Sequence, residues 1–298
     1  MSKAMGFVKE LGNEFKKDNA TTLAAAQAYY YLLAIVPLLI LLLSILPYLQ
    51  IDPAKAIDFI RSILPGEVAN TFQDTIVSVV TTPSGGLLTF GILGTLWSAS
   101  NALTAFINAT NQAYGIEETR SFIKLKATAI GLTLGMLVAV IIALVLPIFG
   151  GTIIDIIKST LDLPEQTEII FQILRWIISV AVMSIVLALM YKFAPNKHFP
   201  FKEVLIGAVI ATVLWQAVSF GFSIYVSNFG SYSATYGSLG GLIVLMLWFF
   251  LTGLILVIGA EINAILDRRR TAKKNASSDA LANSDIKGKN TESSMNKY

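Results

Sequence analysis

The 298-residue chain has no cysteine, a single histidine and few charges, 14% of residues against 55% hydrophobic. The missing cysteine excludes disulfide scaffolds, thiolate metal sites and cysteine nucleophiles, and leaves no thiol usage from which to read a redox compartment. With His198 alone, a histidine-rich metal centre is excluded, and this residue stands in a short basic turn, APNKHFPFK, with no acidic cluster beside it. So few charges, at a mean hydropathy of +0.68, do not suit a soluble surface. The chain also lacks a Walker loop, an HExxH pair and a G-x-S-x-G elbow, the common signatures of phosphate binding, zinc hydrolysis and serine nucleophiles. No enzyme, cofactor or metal centre is therefore expected.

What is present is length in the apolar runs. A helix needs roughly 20 mostly apolar residues to cross the hydrocarbon core, and six runs qualify: 24–49, 87–111, 127–149, 169–193, 204–226 and 239–266. The expected fold is an all-α polytopic membrane bundle, with a six-helix transmembrane domain over 21–267. The first run is too long for a cleaved signal peptide and continues through Pro37, where a kink or local unwinding is expected because proline removes a backbone donor. Basic residues concentrate on one side of these spans. All but four of the 22 lie in the N-terminal segment, the second and fourth connections, and the tail; the exceptions are Lys55, Arg61, Lys158 and Arg175. The Lys/Arg bias then places both termini in the cytoplasm.

Between the spans, residues 1–20 carry Ala4, Val8, Leu11 and Phe15 at helical spacing with Lys9, Lys16 and Lys17 elsewhere, the pattern of an interfacial amphipathic helix. The connection 51–86 holds two helical patterns separated by Pro65 and Gly66 and is expected as an outer helical hairpin, over the mouth of the bundle or on the lipid surface. Ser227 to Gly241 is uncharged and rich in glycine and aromatics; Phe229, Tyr232 and Tyr236 suit the interface and mark a folded outer segment, an expected gate. Residues 268–298 are polar and basic, too poor in large apolar groups to fold by burial. A disordered cytoplasmic tail is expected there, able to bind anionic lipid.

Polar residues inside spans mark the candidate site. Asn101, Thr104, Asn108 and Asn111 recur at three, four and three on the second span, and Gln216, Ser219 and Ser223 at helical spacing on the fifth. Such stripes must face protein or water rather than lipid, either joining helices or lining a translocation path. Glu261, near the inner end of the sixth span, is expected either in an ion pair or backbone contact or as a coupling group on that path. Asp18 is expected to cap the first span. Arg175 enters the fourth span and either snorkels outward or binds a lipid head group through its planar fork.

The stretches DNATTLAAAQAYYYLLAIVPLL, GILGTLWSASNALTAFINATNQAYGIEETR, YKFAPNK, YVSNFGSYSATYGSLGGLIVLMLW and GAEINAILDR together resemble the YihY/BrkB family, UPF0761, formerly labelled ribonuclease BN-like. The resemblance covers nearly all of residues 18–268. It implies a six-helix, multi-pass protein of the bacterial inner membrane and, from links of some members to envelope lipids, transport or flipping of a lipid or other amphiphile. The resemblance transfers no catalytic residue. The alternative is a non-catalytic scaffold recruiting envelope proteins. Expected partners are membrane lipids, an amphiphilic substrate and a second copy of the chain; nucleic acid is not expected, because a basic inner face follows from topology alone.

Overall fold

The computed structural model describes residues 3–45, 48, 84–137, 167–228 and 238–295. The described residues form seven helices and no strand: α1 (Lys3–Lys17), α2 (Ala20–Ile45), α3 (Gly85–Tyr114), α4 (122–137), α5 (Thr167–Phe193), α6 (Phe201–Asn228) and α7 (Ser238–Met295). Four contain apolar stretches long enough to cross a membrane: Ala20–Leu41, Gly85–Tyr114, Phe201–Val226 and Gly240–Ser278. Of the two other expected spans, the fourth is α5, with a shorter apolar stretch at Ile177–Phe193, and the third is described only as far as 137. The hairpin expected over 51–86 lies almost wholly outside the described residues.

Local chemistry sets the helix ends. Ser84 opens α3, its hydroxyl accepting from Leu87 N, and Gly115 closes it at φ 64. There Gly115 N donates to Gln112 O and Ile116 N to Asn111 O, bonds that satisfy last-turn carbonyls through a conformation that costs glycine little. Between α1 and α2, Asn19 takes φ 51; asparagine tolerates this left-handed region better than most residues. Helix α2 runs through Pro37 without the local unwinding considered there.

Small residues let the helices approach. A side chain at Gly91 would meet Leu41 Cα at 2.8 Å, and one at Gly253 would meet Ala24 O at 2.9 Å. These sites seat α3 and α7 against α2 by close backbone packing, the main attraction available between helices in lipid. The main interfaces are α2 with α3 and α7, α5 with α6, and α7 with α3 and α6. The core they enclose includes Phe106, Ile107, Tyr191, Val204 and Leu256. Tyr191 Oη donates to Leu256 O at 2.8 Å, which removes the cost of burying its hydroxyl. Val36, Phe90, Leu93, Ile177, Val213 and Phe220 are exposed on the outside, as lipid-facing side chains should be.

Segments assigned to one side by charge meet at one end of the bundle. Arg268 pairs with Glu14 at 3.1 Å, Arg269 pairs with Glu10, and Lys197 lies 3.9 Å from Asp267. Beyond Asp267, α7 departs from the expected disordered tail and remains helical to Met295. Its side chains are exposed from Arg268 to Ser278, so burial does not drive the extension over that stretch. The preceding span has already met the nucleation cost, and each added residue needs only propagation.

Candidate functional site

Two features stand out: an apolar cavity between helices and a charged layer at the polar end. The cavity, about 550 Å³, lies among α2, α4, α5, α6 and α7, with Tyr31, Met183, Met190, Trp215, Gln216 and Trp248 in its wall. Trp215 and Trp248 meet edge to face at 5.9 Å between ring centroids, and Trp215 Nε1 donates to Thr252 Oγ1 at 3.3 Å. The indole proton is thereby satisfied while its ring faces the cavity. Flexible methionines and aromatic faces suit an apolar chain of variable shape. Gln216 adds an amide to this wall.

The α3 stripe is placed elsewhere. Asn101 accepts from Lys126 Nζ, whose ammonium also sits 4.6 Å from the Trp97 ring centre. Thr104 donates back to Ser100 O at 2.7 Å, and Asn108 is exposed. Asn111 is buried, donating to Glu118 Oε2 and accepting from Asn196 N, both at 2.8 Å. Among the described residues no principal interface joins α3 to α6, and the cavity wall includes Gln216 but no α3 residue. Ser219 is half-buried and Ser223 exposed, beyond Gln216 along α6. Arg175 belongs to α5, but its side chain lies outside the described residues, as do Phe229, Tyr232 and Tyr236.

Asn111 contributes to a clamp that sequence reading missed. Arg120 meets Glu118 through two bonds, Nε to Oε1 at 2.8 Å and Nη2 to Oε2 at 2.6 Å. It also donates to Ala194 O at 2.8 Å, tying the connection after α3 to the one after α5. The Arg120 guanidinium holds the Glu118 carboxyl below its ordinary range, despite partial burial. Two charges spaced by two in GIEETR were visible in the sequence. Their partners beyond α5 were not.

Glu261 is fully buried, and neither of its oxygens has a hydrogen-bond partner among the described residues. The expected ion pair or backbone contact is therefore absent; the neighbouring Arg268 pairs instead with Glu14. Carboxylate oxygens of Glu14, Asp18 and Glu261 all lie within 4.8 Å of one another. Asp18, expected as a cap, is 6% exposed and accepts from Gln112 at 3.4 Å across the bundle. Burial raises the pKa of Glu14, but Lys17 and Arg268 outweigh it and hold its carboxyl below the ordinary value. Glu14 lies near the end of α1 and Asp18 just past it, four residues on, a spacing that gives no sign of Glu261.

Long apolar helices, a lipid-facing exterior and charge gathered at one end define a polytopic membrane protein. The family model described as virulence factor BrkB matches residues 11–283, and the chain belongs to that family. It is 39% identical over 266 residues to a Bacillus subtilis protein named as ribonuclease-like, YfkH, covering 89% of this chain and 97% of that one. It is 37% identical over 109 residues to the UPF0761 membrane protein VV0203 of Vibrio vulnificus, covering 37% of this chain and 34% of that one. A third relative, the UPF0761 membrane protein PBPRA3489 of Photobacterium profundum, is 29% identical over 211 residues, 69% of this chain and 61% of that one. No solved structure matches the chain.

Proposed function

We propose that the protein is a non-catalytic transporter or flippase that accepts the apolar tail of a lipid or other amphiphile between its helices. The observation that carries this reading is the cavity of about 550 Å³ among five helices, walled by methionine and aromatic side chains with Gln216 beside them. A tail would bury apolar surface there, while an amide at the wall offers a hydrogen bond to a passing head group. The polar stripe of α3 is not needed for that path. The ribonuclease-like name of the Bacillus relative is not carried over to this chain.

The test is lipid movement. Purified protein in liposomes is assayed with a fluorescent phospholipid and a membrane-impermeant quencher. Wild type is expected to expose inner-leaflet label faster than protein-free liposomes do. Met183→Trp, which fills the cavity, should abolish the increase, whereas Ile177→Trp on an exposed face should retain it. Equal rates in wild-type and empty liposomes, or full activity of Met183→Trp, would defeat the reading.

A second reading is a scaffold that recruits envelope proteins through the exposed basic helix following Arg268. Deleting 271–298 separates the two: a scaffold fails, whereas lipid movement through the cavity persists.

A further inference from the structure

Glu14 and Asp18 come from the end of α1 and its corner with α2, Glu261 from α7. At this corner Asn19 adopts the left-handed backbone conformation. Their oxygens converge within 4.8 Å, and Glu261 supplies a fully buried carboxylate with neither oxygen partnered among the described residues. A carboxylate removed from water without a donor is unstable unless a proton or cation joins it. The nearest basic groups are already engaged. Lys17 and Arg268 both donate to Glu14 Oε2, at 3.2 and 3.1 Å, leaving Oε1 for another partner. Gln112 occupies Asp18 Oδ1, which leaves Oδ2.

We propose that Glu14, Asp18 and Glu261 bind one divalent cation of calcium size, joining α1 and its corner to α7. Hard oxygen donors select such ions. With metal–oxygen distances of about 2.3–2.6 Å, opposite ligands around calcium are separated by roughly twice that length, a reach that accommodates the observed spread. Magnesium, at about 2.0–2.1 Å, would require the three groups to close further. Three carboxylates favour a divalent over a monovalent ion, and Lys17 and Arg268 balance part of the charge from outside. With Glu261 fully buried and Asp18 6% exposed, the site gives a polynucleotide no approach. The cation acts on structure: it reinforces the contact that Arg268 and Arg269 make with α1.

The experiment titrates calcium chloride calorimetrically into the purified full-length protein in neutral detergent and sodium chloride, with thermal unfolding followed in parallel. Wild type should bind one calcium per chain and unfold at a higher temperature when calcium is added. Glu261→Gln and Asp18→Asn should each weaken binding about 10- to 100-fold or more and lose the thermal shift, while Glu117→Gln, in an exposed part of the loop, should keep both. Absence of saturable binding by wild type up to about 1 mM calcium, or undiminished binding by Glu261→Gln, overturns the proposal. So does a wild type that binds no calcium while Glu261→Gln unfolds at a higher temperature, the mark of a carboxyl kept protonated. If Glu261→Gln does not fold, binding and thermal shift in Asp18→Asn decide. No amphiphile is present, so failure here leaves the transport reading standing, and failure of lipid movement leaves this one standing.

Discussion

Glu118 and Glu261 are two carboxylates at the polar end of one bundle, accommodated in opposite ways. Glu118 is partly exposed and has a two-pronged Arg120, the Asn111 amide and the Arg120 backbone N–H around it. Glu261 is fully buried and has carboxylates for neighbours. The first arrangement stabilises a fold, because charge-assisted bonds replace the water that is lost. The second does not by itself; it is the arrangement expected where a group is kept for a ligand. Position in the sequence explains the difference. Glu118 has its arginine two residues away, whereas the two carboxylates that meet Glu261, those of Glu14 and Asp18, come from the other end of the chain.

The largest way to break this contrast is to open the dry environment of Glu261. Gly253→Val would drive a side chain into the Ala24 backbone and pry α7 from α2; a loss of about 3 kcal/mol is expected, read as a much lower unfolding midpoint in detergent. Next in size, Arg120→Ala should cost about 2 kcal/mol by leaving Glu118 and Ala194 O without their donor. Glu261→Gln without divalent cations should be neutral or stabilising, since it removes an unpaired charge. Opposite signs in the two melting curves would sharpen the comparison; equal losses would erase it.

The smallest expected effect is on pH dependence. The folded pKa of Glu118 lies below its ordinary value, so its contribution is fully present above the unfolded pKa, about 4.3, and is lost as pH falls through the lower folded value. Glu14 is shifted in the same direction and adds with the same sign. Arg120→Ala should therefore lose less stability than wild type between neutral pH and pH 4, measured as the difference between unfolding midpoints.

How much of this was legible varies with the range of the interaction. The apolar runs of α3, α6 and α7 were visible as spans because a helix meets its own backbone bonds and needs only length and hydropathy to suit a bilayer. The stop of α3 was written locally in Gly115. Glu261 was visible as a charge that needed an explanation, and Gln216 as an amide in an apolar stretch. The α3 stripe was real as a helix face, but its residues are placed differently: Asn101 meets Lys126, Thr104 bonds back to its own helix, Asn108 is exposed and Asn111 joins the clamp on Asn196. The helical course beyond Arg268 was missed because composition reports whether a segment can bury surface, not whether a helix already started will continue.

By itself, then, the sequence determined that this is an α-helical membrane protein of the BrkB family, with its basic residues biased along the chain. Those properties depend on composition and on periodicity within single helices. The tertiary structure alone decided that Gln216 faces a cavity, that Asn111 locks a clamp, and that Glu14 and Asp18 meet Glu261. Such meetings depend on the order, rotation and depth at which helices pack, and these follow from close contacts such as Gly253 on Ala24 between segments far apart in the chain.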